Sequence, residues 1–328
     1  MFGLFLVAGG SLIRSAFEFF LLRNCAKLNP LRRKLKLWHF ASCDSELLWS
    51  SLLIHVSPVG GQRVAVGRRV KRATFRLVYR LMLFRVLILR ILGWKAVRSP
   101  YSFWFAANYD DATFKFYVTG AYGNFYWDRL SRYNRQFVFL DIGANQGLYT
   151  LTAANNPFCV VAYAFEPVPD TYHLLQKNIT LNSLSSKCIP VQKAIASKTG
   201  FDEIVLSENH SGAATLSAKN QLSGGAQNTV TIETIDWHAL ELLITEVNVD
   251  VLIKIDVEGF EETVLSQLVK TEFFRNAQEV FIEIDEAWTN AKNIENLLRA
   301  DGFTQFKRVG TDKNHYDLLA LRRNELVQ

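Results

Sequence analysis

Acidic residues are nearly missing from the first hundred positions, where three Asp and Glu stand against 18 Lys and Arg. Positions 101–328 reverse the balance, with 28 acids against 19 Lys and Arg. The chain therefore divides into a basic extension, residues 1–98, and a mildly acidic domain, residues 99–328. Cysteine is scarce too. Cys25, Cys43, Cys159 and Cys188 form no C-x-x-C pair and no metal-ligand spacing with the six histidines. That argues against a zinc module or a disulfide framework and fits reduced thiols in the cytoplasm. A clean membrane span is lacking: Met1–Leu22 is apolar but is broken by Gly9, Gly10, Arg14 and Glu18. A span needs about 20 uninterrupted apolar residues. A signal peptide needs its charge ahead of the apolar run, and this stretch does not have that order. It fits an interfacial or merely hydrophobic N-terminus better. There is no internal repeat, no low-complexity tract and no G-x-G-x-x-G.

What is present begins at Arg68–Gly93. Arg69, Arg72, Arg76 and Arg80 recur every three or four residues among Leu, Ile, Val, Met and Phe. The spacing predicts a basic amphipathic helix, suited either to peripheral contact with an anionic membrane through residues 68–93 or to covering the flank of the domain. Residues 100–135 are dense in aromatics, including Tyr101, Trp104, Tyr122, Tyr126 and Trp127. Most aromatics are packing surface, and some could roof a site. Thr113–Val118 alternates like a strand, and Asn124–Tyr133 reads as a helix.

From Phe137 strands and helices alternate. FVFLDIG, VVAYAFEP (160–167), CIPVQKAIA (188–196), VLIKIDVEG (251–259) and EVFIEID (279–285) read as strands. Helices are expected at Leu148–Ala154, at Asp170–Leu181 with Asp170 as its cap, and at Leu240–Val247, Glu261–Leu268 and Lys292–Ala300. Residues 201–235 read as a β insertion, and FTQFKRV with YDLLALRR as an antiparallel pair. The fold class is α/β, a Rossmann-like, doubly wound and mostly parallel sheet with an antiparallel C-terminal strand and a basic helical N-terminal extension.

In such a sheet ligands bind beyond the carboxyl ends of the strands. Four predicted strands end in an acid there: Asp141, Glu166, Asp256 and Glu283. The loop after the first strand is D-x-G-x-N-x-G, with Gly143, Asn145 and Gly147. An acid before the glycines would repel a pyrophosphate. It would not repel an ammonium or a sulfonium. Glu166 can accept hydrogen bonds from both hydroxyls of a ribose. Together these groups suit S-adenosyl-L-methionine, and Asp141 as a mere turn cap is the weaker reading.

These motifs resemble the FkbM-type class I methyltransferases. FLDIGANQGLYTL (139–151), AYAFEPVPDTYHLLQKN (162–178), VLIKIDVEGFEETVL (251–265), FIEID (281–285) and YDLLAL (316–321) carry the resemblance. It spans about Thr113 to Leu321 and leaves out residues 1–65. It implies S-adenosyl-L-methionine as donor and O-methylation of a hydroxyl on a sugar, glycolipid or secondary metabolite. It also implies that Asp141, Gly143, Asn145 and Gly147 bind the methionine part, Glu166 the ribose, and Ala194 and Ile195 the adenine. Asp256 would lie beside the methyl group.

A hydroxyl acceptor needs a base in reach. Asp256 ranks first, then Glu258 and Glu283, with His210 of the insertion as a further catalytic candidate. Glu261 and Glu262 open a helix, where acids are ordinarily structural. Asp256, Glu283 and Asp285 could offer oxygen ligands, but no paired Asp–Asn signal accompanies them, so no metal site is assigned. The acceptor is expected to be a small molecule or a glycan- or lipid-linked group. Nucleic acid is disfavoured by the acidic domain and by the lack of an NPPY-type signature. The alternative is a catalytically inert membrane-surface binding protein on a nucleotide-binding fold.

Overall fold

The structure is a computed structural model that describes residues 68–206, 228–245 and 248–322. The chain separates into compact units 1–63 and 64–328, and every described element belongs to the second. Its centre is a seven-stranded sheet. Strands β3 (Phe137–Ile142), β4 (Cys159–Phe165), β5 (Cys188–Val191), β9 (Asp250–Ile255), β10 (Ala277–Asp285), β11 (Gln305–Val309) and β12 (His315–Leu321) lie in the order β11-β12-β10-β9-β3-β4-β5. From β5 to β10 all pairs are parallel. β12 runs antiparallel to both neighbours, as the C-terminal pair predicted.

Every residue of β3 is buried. It lies between β4 and β9 with both faces covered, which is why FVFL has no polar alternation. The strand order reverses at β3, so a crevice opens between the carboxyl ends of β3 and β9.

The first described helix, α1 (Arg68–Ile91), leads through the hairpin β1 (Ala96–Arg98) and β2 (Trp104–Ala106) into α2 (Ala112–Thr119). The expected strand at Thr113–Val118 is thus a helix. Asp111 caps its start, accepting from Phe114 N at 2.7 Å, and Gly120 ends it in the left-handed region. Thr113, Phe114, Tyr117 and Val118 are buried, a helical spacing that outweighs the apparent alternation. Next, α3 (Asn124–Ser131) stops two residues short of the expected end. Tyr126 on it stacks on Phe281 of β10 at 4.1 Å.

α4 (Leu148–Asn155) and α5 (Pro169–Leu181) follow β3 and β4. Asp170 does not cap α5. Val168 holds that position and Pro169 begins the helix, leaving Asp170 in the first turn. The single strand expected over 188–196 divides. β5 stays on the sheet edge, where Pro190 is tolerated, and β6 (Ala194–Ile195) joins a separate three-stranded sheet with β7 (Gly200–Leu206) and β8 (Asn228–Ile235). The middle of the β insertion, with AATLSA, lies outside the described residues. α6 (Trp237–Leu243) starts three residues earlier than expected because Asp236 caps it through Ala239 N. α7 (Glu261–Leu268) and α8 (Ala291–Ala300) complete the helical layers. Cys159 and Cys188 are buried free thiols, and Cys25 and Cys43 lie outside the described residues.

Two buried asparagines tie the aromatic segment to the sheet. Asn178 accepts from Ala106 N at 2.7 Å and donates to Gln146 O at 2.8 Å. Asn156 donates to Leu130 O and Tyr133 O. Asn178 thereby fixes β2 beside the glycine loop, and Asn156 fixes residues 130–133 near the start of β4.

Candidate functional site

A cleft of about 300 Å³ opens at the crevice between β3 and β9. Gly143, Asn145, Glu166, Ala194, Ile195, Asp256 and Glu258 all line it. The sequence places these residues on four different segments, and the fold brings them to one cavity. Glu283 and His315 stand at the same cleft. Thr113, Phe116, Ala121 and Tyr122 cover it from the aromatic segment.

The glycine loop is held by backbone bonds. Gly143 N and Ala144 N both donate to Phe165 O, at 3.0 and 2.9 Å. Asn145 takes φ 50° and donates its N–H to Glu166 Oε2 at 2.9 Å. Val168 N donates to the other oxygen, Glu166 Oε1, at 3.0 Å. Burial raises the Glu166 carboxyl to about 7, and these two N–H groups offset only part of that rise.

Asp141 and Gly147 do not line the cleft. Asp141 is buried beneath it, and its Oδ2 accepts from Thr150 N at 2.9 Å and Thr150 Oγ1 at 2.6 Å. It therefore caps the first turn of α4, the reading weighted lower from sequence. Its Oδ1 has no hydrogen-bond partner, and its nearest cation is Lys254 Nζ at 3.6 Å. Gly147 starts α4 at φ 92°, and a Cβ there would stand 2.6 Å from Leu175 Cδ1. The need for glycine at 147 comes first from this left-handed backbone and then from the Leu175 side chain of α5. At Gly143, with φ 78°, a Cβ would overlap the carbonyl oxygen of Asp256. His210 lies outside the described residues.

Lys254 organises the charge. Its buried ammonium donates to Gly143 O at 2.7 Å and lies 3.2 Å from Asp256 Oδ2. Tyr122 OH also donates to Asp256 Oδ2, at 3.2 Å. Burial alone would raise the Asp256 carboxyl. Lys254, a hydrogen bond from Glu283 and Tyr122 together hold it below the usual range. Glu283 moves the opposite way, raised mainly by the Asp256 charge and then by burial. Glu258, in the left-handed region at φ 51°, is pushed up to about 8 by burial and then by Asp256. His315 Nε2 lies 2.6 Å from Glu283 Oε1.

Asp256, Glu258 and Glu283 each place an oxygen within 4.8 Å of the others, a spacing that could hold a cation. Asp285, considered from sequence, does not line the cleft and accepts from Ala287 N. Glu261 accepts from Gly259 N and Thr289 Oγ1, and Glu262 from Asn293 Nδ2, so both support local structure. A second cavity of about 110 Å³ adjoins the cleft behind Tyr122, Asp256 and Glu283, reaching Lys254, Tyr149 and Asp317. Asp317 stands opposite Glu283 in the β10–β12 register and is raised to about 7 by burial.

Sequence reasoning passed over His315 and Asp317 because β12 meets β10 only through a long-range antiparallel pairing. Tyr122 was one aromatic among many. Its signal was position, two residues past the Gly120 that ends α2.

Comparison with known proteins bears on this geometry. The Methyltransferase FkbM domain matches residues 141–304, half of the chain. "Methyltransferase sdnD" of Sordaria araneosa is 28% identical over 215 residues, covering 57% of this chain and 81% of that protein. Among solved structures, M. jannaschii TYW2 in complex with AdoMet matches 69% of this chain and 83% of its own, at 13% identity and TM-score 0.40. The precorrin-6y C5,15-methyltransferase of Geobacter metallireducens matches 60% and 86%, at 13% identity and TM-score 0.37. M. capricolum TrmK with S-adenosyl-homocysteine matches 62% and 70%, at 14% identity and TM-score 0.36. On the match from 141 to 304, which takes in the glycine loop, Glu166 and the Lys254–Asp256 strand end, the chain belongs to the FkbM family of S-adenosyl-L-methionine-dependent methyltransferases.

Proposed function

We propose that the cleft binds S-adenosyl-L-methionine across the switch point and that the enzyme methylates a hydroxyl of a small-molecule or glycan- or lipid-linked acceptor. The observation that carries this reading is the meeting of Gly143, Glu166 and Asp256 on one cleft. The residues present fit the group. Phe165, Val168, Ala194, Ile195 and Val264 supply apolar surface for a base, and Glu166 a carboxylate for vicinal hydroxyls. Asp256, kept ionised by Lys254, offers negative charge to a cationic centre. Asp141 and Gly147 support the loop from below in this reading and do not touch the ligand. The rival expectation of a catalytically inert binding protein gives way to the family membership.

The bound donor supplies an electrophilic methyl group. The chain's own task is to align the acceptor with it, since an in-line displacement depends chiefly on orientation. Tyr122 and Phe116 close the cleft from above and limit water. Asp256 is a weak base because its carboxyl is held low, so its part is electrostatic. Glu258, raised to about 8, is better matched to taking the acceptor proton near neutral pH. His315, bonded to Glu283 at the cleft, is a second group able to hold that proton.

Titration calorimetry with S-adenosylhomocysteine tests the cofactor assignment. Glu166→Ala is expected to weaken binding by about 10–100-fold, the range for losing a charged hydrogen-bond acceptor. Unchanged affinity in a folded variant removes the ribose assignment. A pH series adds a sign. Glu166 titrates near 7 in the free protein, and hydrogen bonds from hydroxyls favour its ionised form. Affinity should therefore rise with pH between 6 and 8, by up to about tenfold per unit on the acid side. A flat profile, or one that falls with pH, contradicts an ionised Glu166 in the complex.

A further inference from the structure

Among the described residues, one face of α1 is apolar and exposed. Val86 and Leu89 turn inward and are buried, and the helix packs on α2. On the opposite side Leu81, Phe84, Leu87 and Ile91 are 58%, 54%, 50% and 74% exposed. Their steps of three and four residues align them in one stripe. Single exposed leucines are ordinary, but four large apolar side chains in one row are a surface with a use. The same helix holds eight Lys and Arg and no acid. Arg85 and Arg90 are engaged within the fold, with Arg98 O and Asp110. Arg80 is exposed on the side of the stripe, four residues before Phe84.

We propose that this face docks the enzyme on an anionic lipid bilayer, with α1 lying in the interface. Charge decides among the possible occupants. A second copy would set two helices of eight positive charges against each other. Residues 1–67 carry eight Lys and Arg against three acids, so they offer no charge complement to the helix either. An anionic bilayer supplies both partners at once, acyl boundary for the stripe and headgroup charge for the arginines. The contact is interfacial, because among the described residues no helix is long and apolar enough to cross a membrane. The inference does not depend on the cofactor assignment.

Co-sedimentation of the full-length protein tests it, with vesicles of phosphatidylcholine alone and of an equal mixture of phosphatidylcholine and phosphatidylglycerol. The protein should pellet with the mixed vesicles, less so in high salt, and hardly with the neutral ones. Phe84→Asp with Ile91→Asp should weaken binding at least about tenfold. Arg80→Glu, which keeps the stripe, should also weaken it. Both variants should keep the wild-type affinity for S-adenosylhomocysteine and the wild-type melting temperature. Failure of the full-length protein to pellet, or full binding by both variants, overturns the proposal. So does a wild-type dimer in sedimentation velocity that Phe84→Asp disperses, which would make the occupant a second copy. A fall in melting temperature in both variants overturns it too, since it would mean that the chain itself covers the face.

Discussion

Gly143→Ala is expected to cost about 3–5 kcal/mol of stability and to reduce S-adenosylhomocysteine affinity by about a hundredfold or more. Two effects add. At φ 78° any Cβ pays the left-handed penalty, about 1–2 kcal/mol. The new methyl would also overlap the Asp256 carbonyl oxygen and stand 2.9 Å from its carbonyl carbon. That carbonyl cannot yield cheaply. Asp256 N donates to Ile142 O at 3.0 Å, and Lys254 Nζ donates to Gly143 O at 2.7 Å, so the ends of β3 and β9 are bolted together. Separating them moves Asp256 and the loop at once. Gly93→Ala is the control, because Gly93 has φ 68° and nothing within 4 Å of its would-be Cβ. It should pay the dihedral cost alone and leave binding intact. Urea unfolding and calorimetry on both variants check this. Equal losses in the two would show that the close approach of β3 and β9 is unimportant.

The second large effect is expected from Lys254→Met, which should destabilise by about 3–5 kcal/mol near pH 8. The side chain of Lys254 is 5% exposed, that of Asp141 1% and that of Asp256 17%. Methionine keeps much of the volume but removes the cation shared by the two carboxylates and the donor to Gly143 O. Both carboxyls would then titrate higher in the folded than in the unfolded chain. An acid raised in the folded state costs nothing below its unfolded pKa, and its cost grows as pH rises toward the folded value. The deficit should therefore be small near pH 4 and full by pH 8. Adding Asp256→Asn should recover part of it at pH 8. A deficit that is constant across pH would show that Lys254 acts by packing and its hydrogen bond to Gly143 O, with charge irrelevant.

Local hydrogen bonding and periodicity made much of this chain legible before folding. Phe137–Leu140 has no polar alternation because β3 is covered on both faces, and that could be read directly. The strand ends at Asp141, Glu166, Asp256 and Glu283 were visible as acids closing apolar runs. The glycine loop and KIDVEG identified the family. The misreading of Thr113–Val118 came from weighing alternation above the caps at Asp111 and Gly120. Both caps were written in the sequence, and they set the helix.

Tertiary structure alone decided which acids share a cavity and in what state. Asp141 and Glu166 look alike in sequence, yet one lies under the loop on Thr150 and the other faces the cleft. Lys254 ties Asp141, Gly143 and Asp256 only because β9 inserts beside β3. Tyr122 reaches Asp256 across 134 residues, and His315 reaches Glu283 through the β10–β12 register. The physical reason is range. Propensity, capping and turn geometry act over a few residues, so a sequence reveals its elements and motifs. Strand order and register join residues far apart in the chain, and burial then sets the charge of each carboxyl.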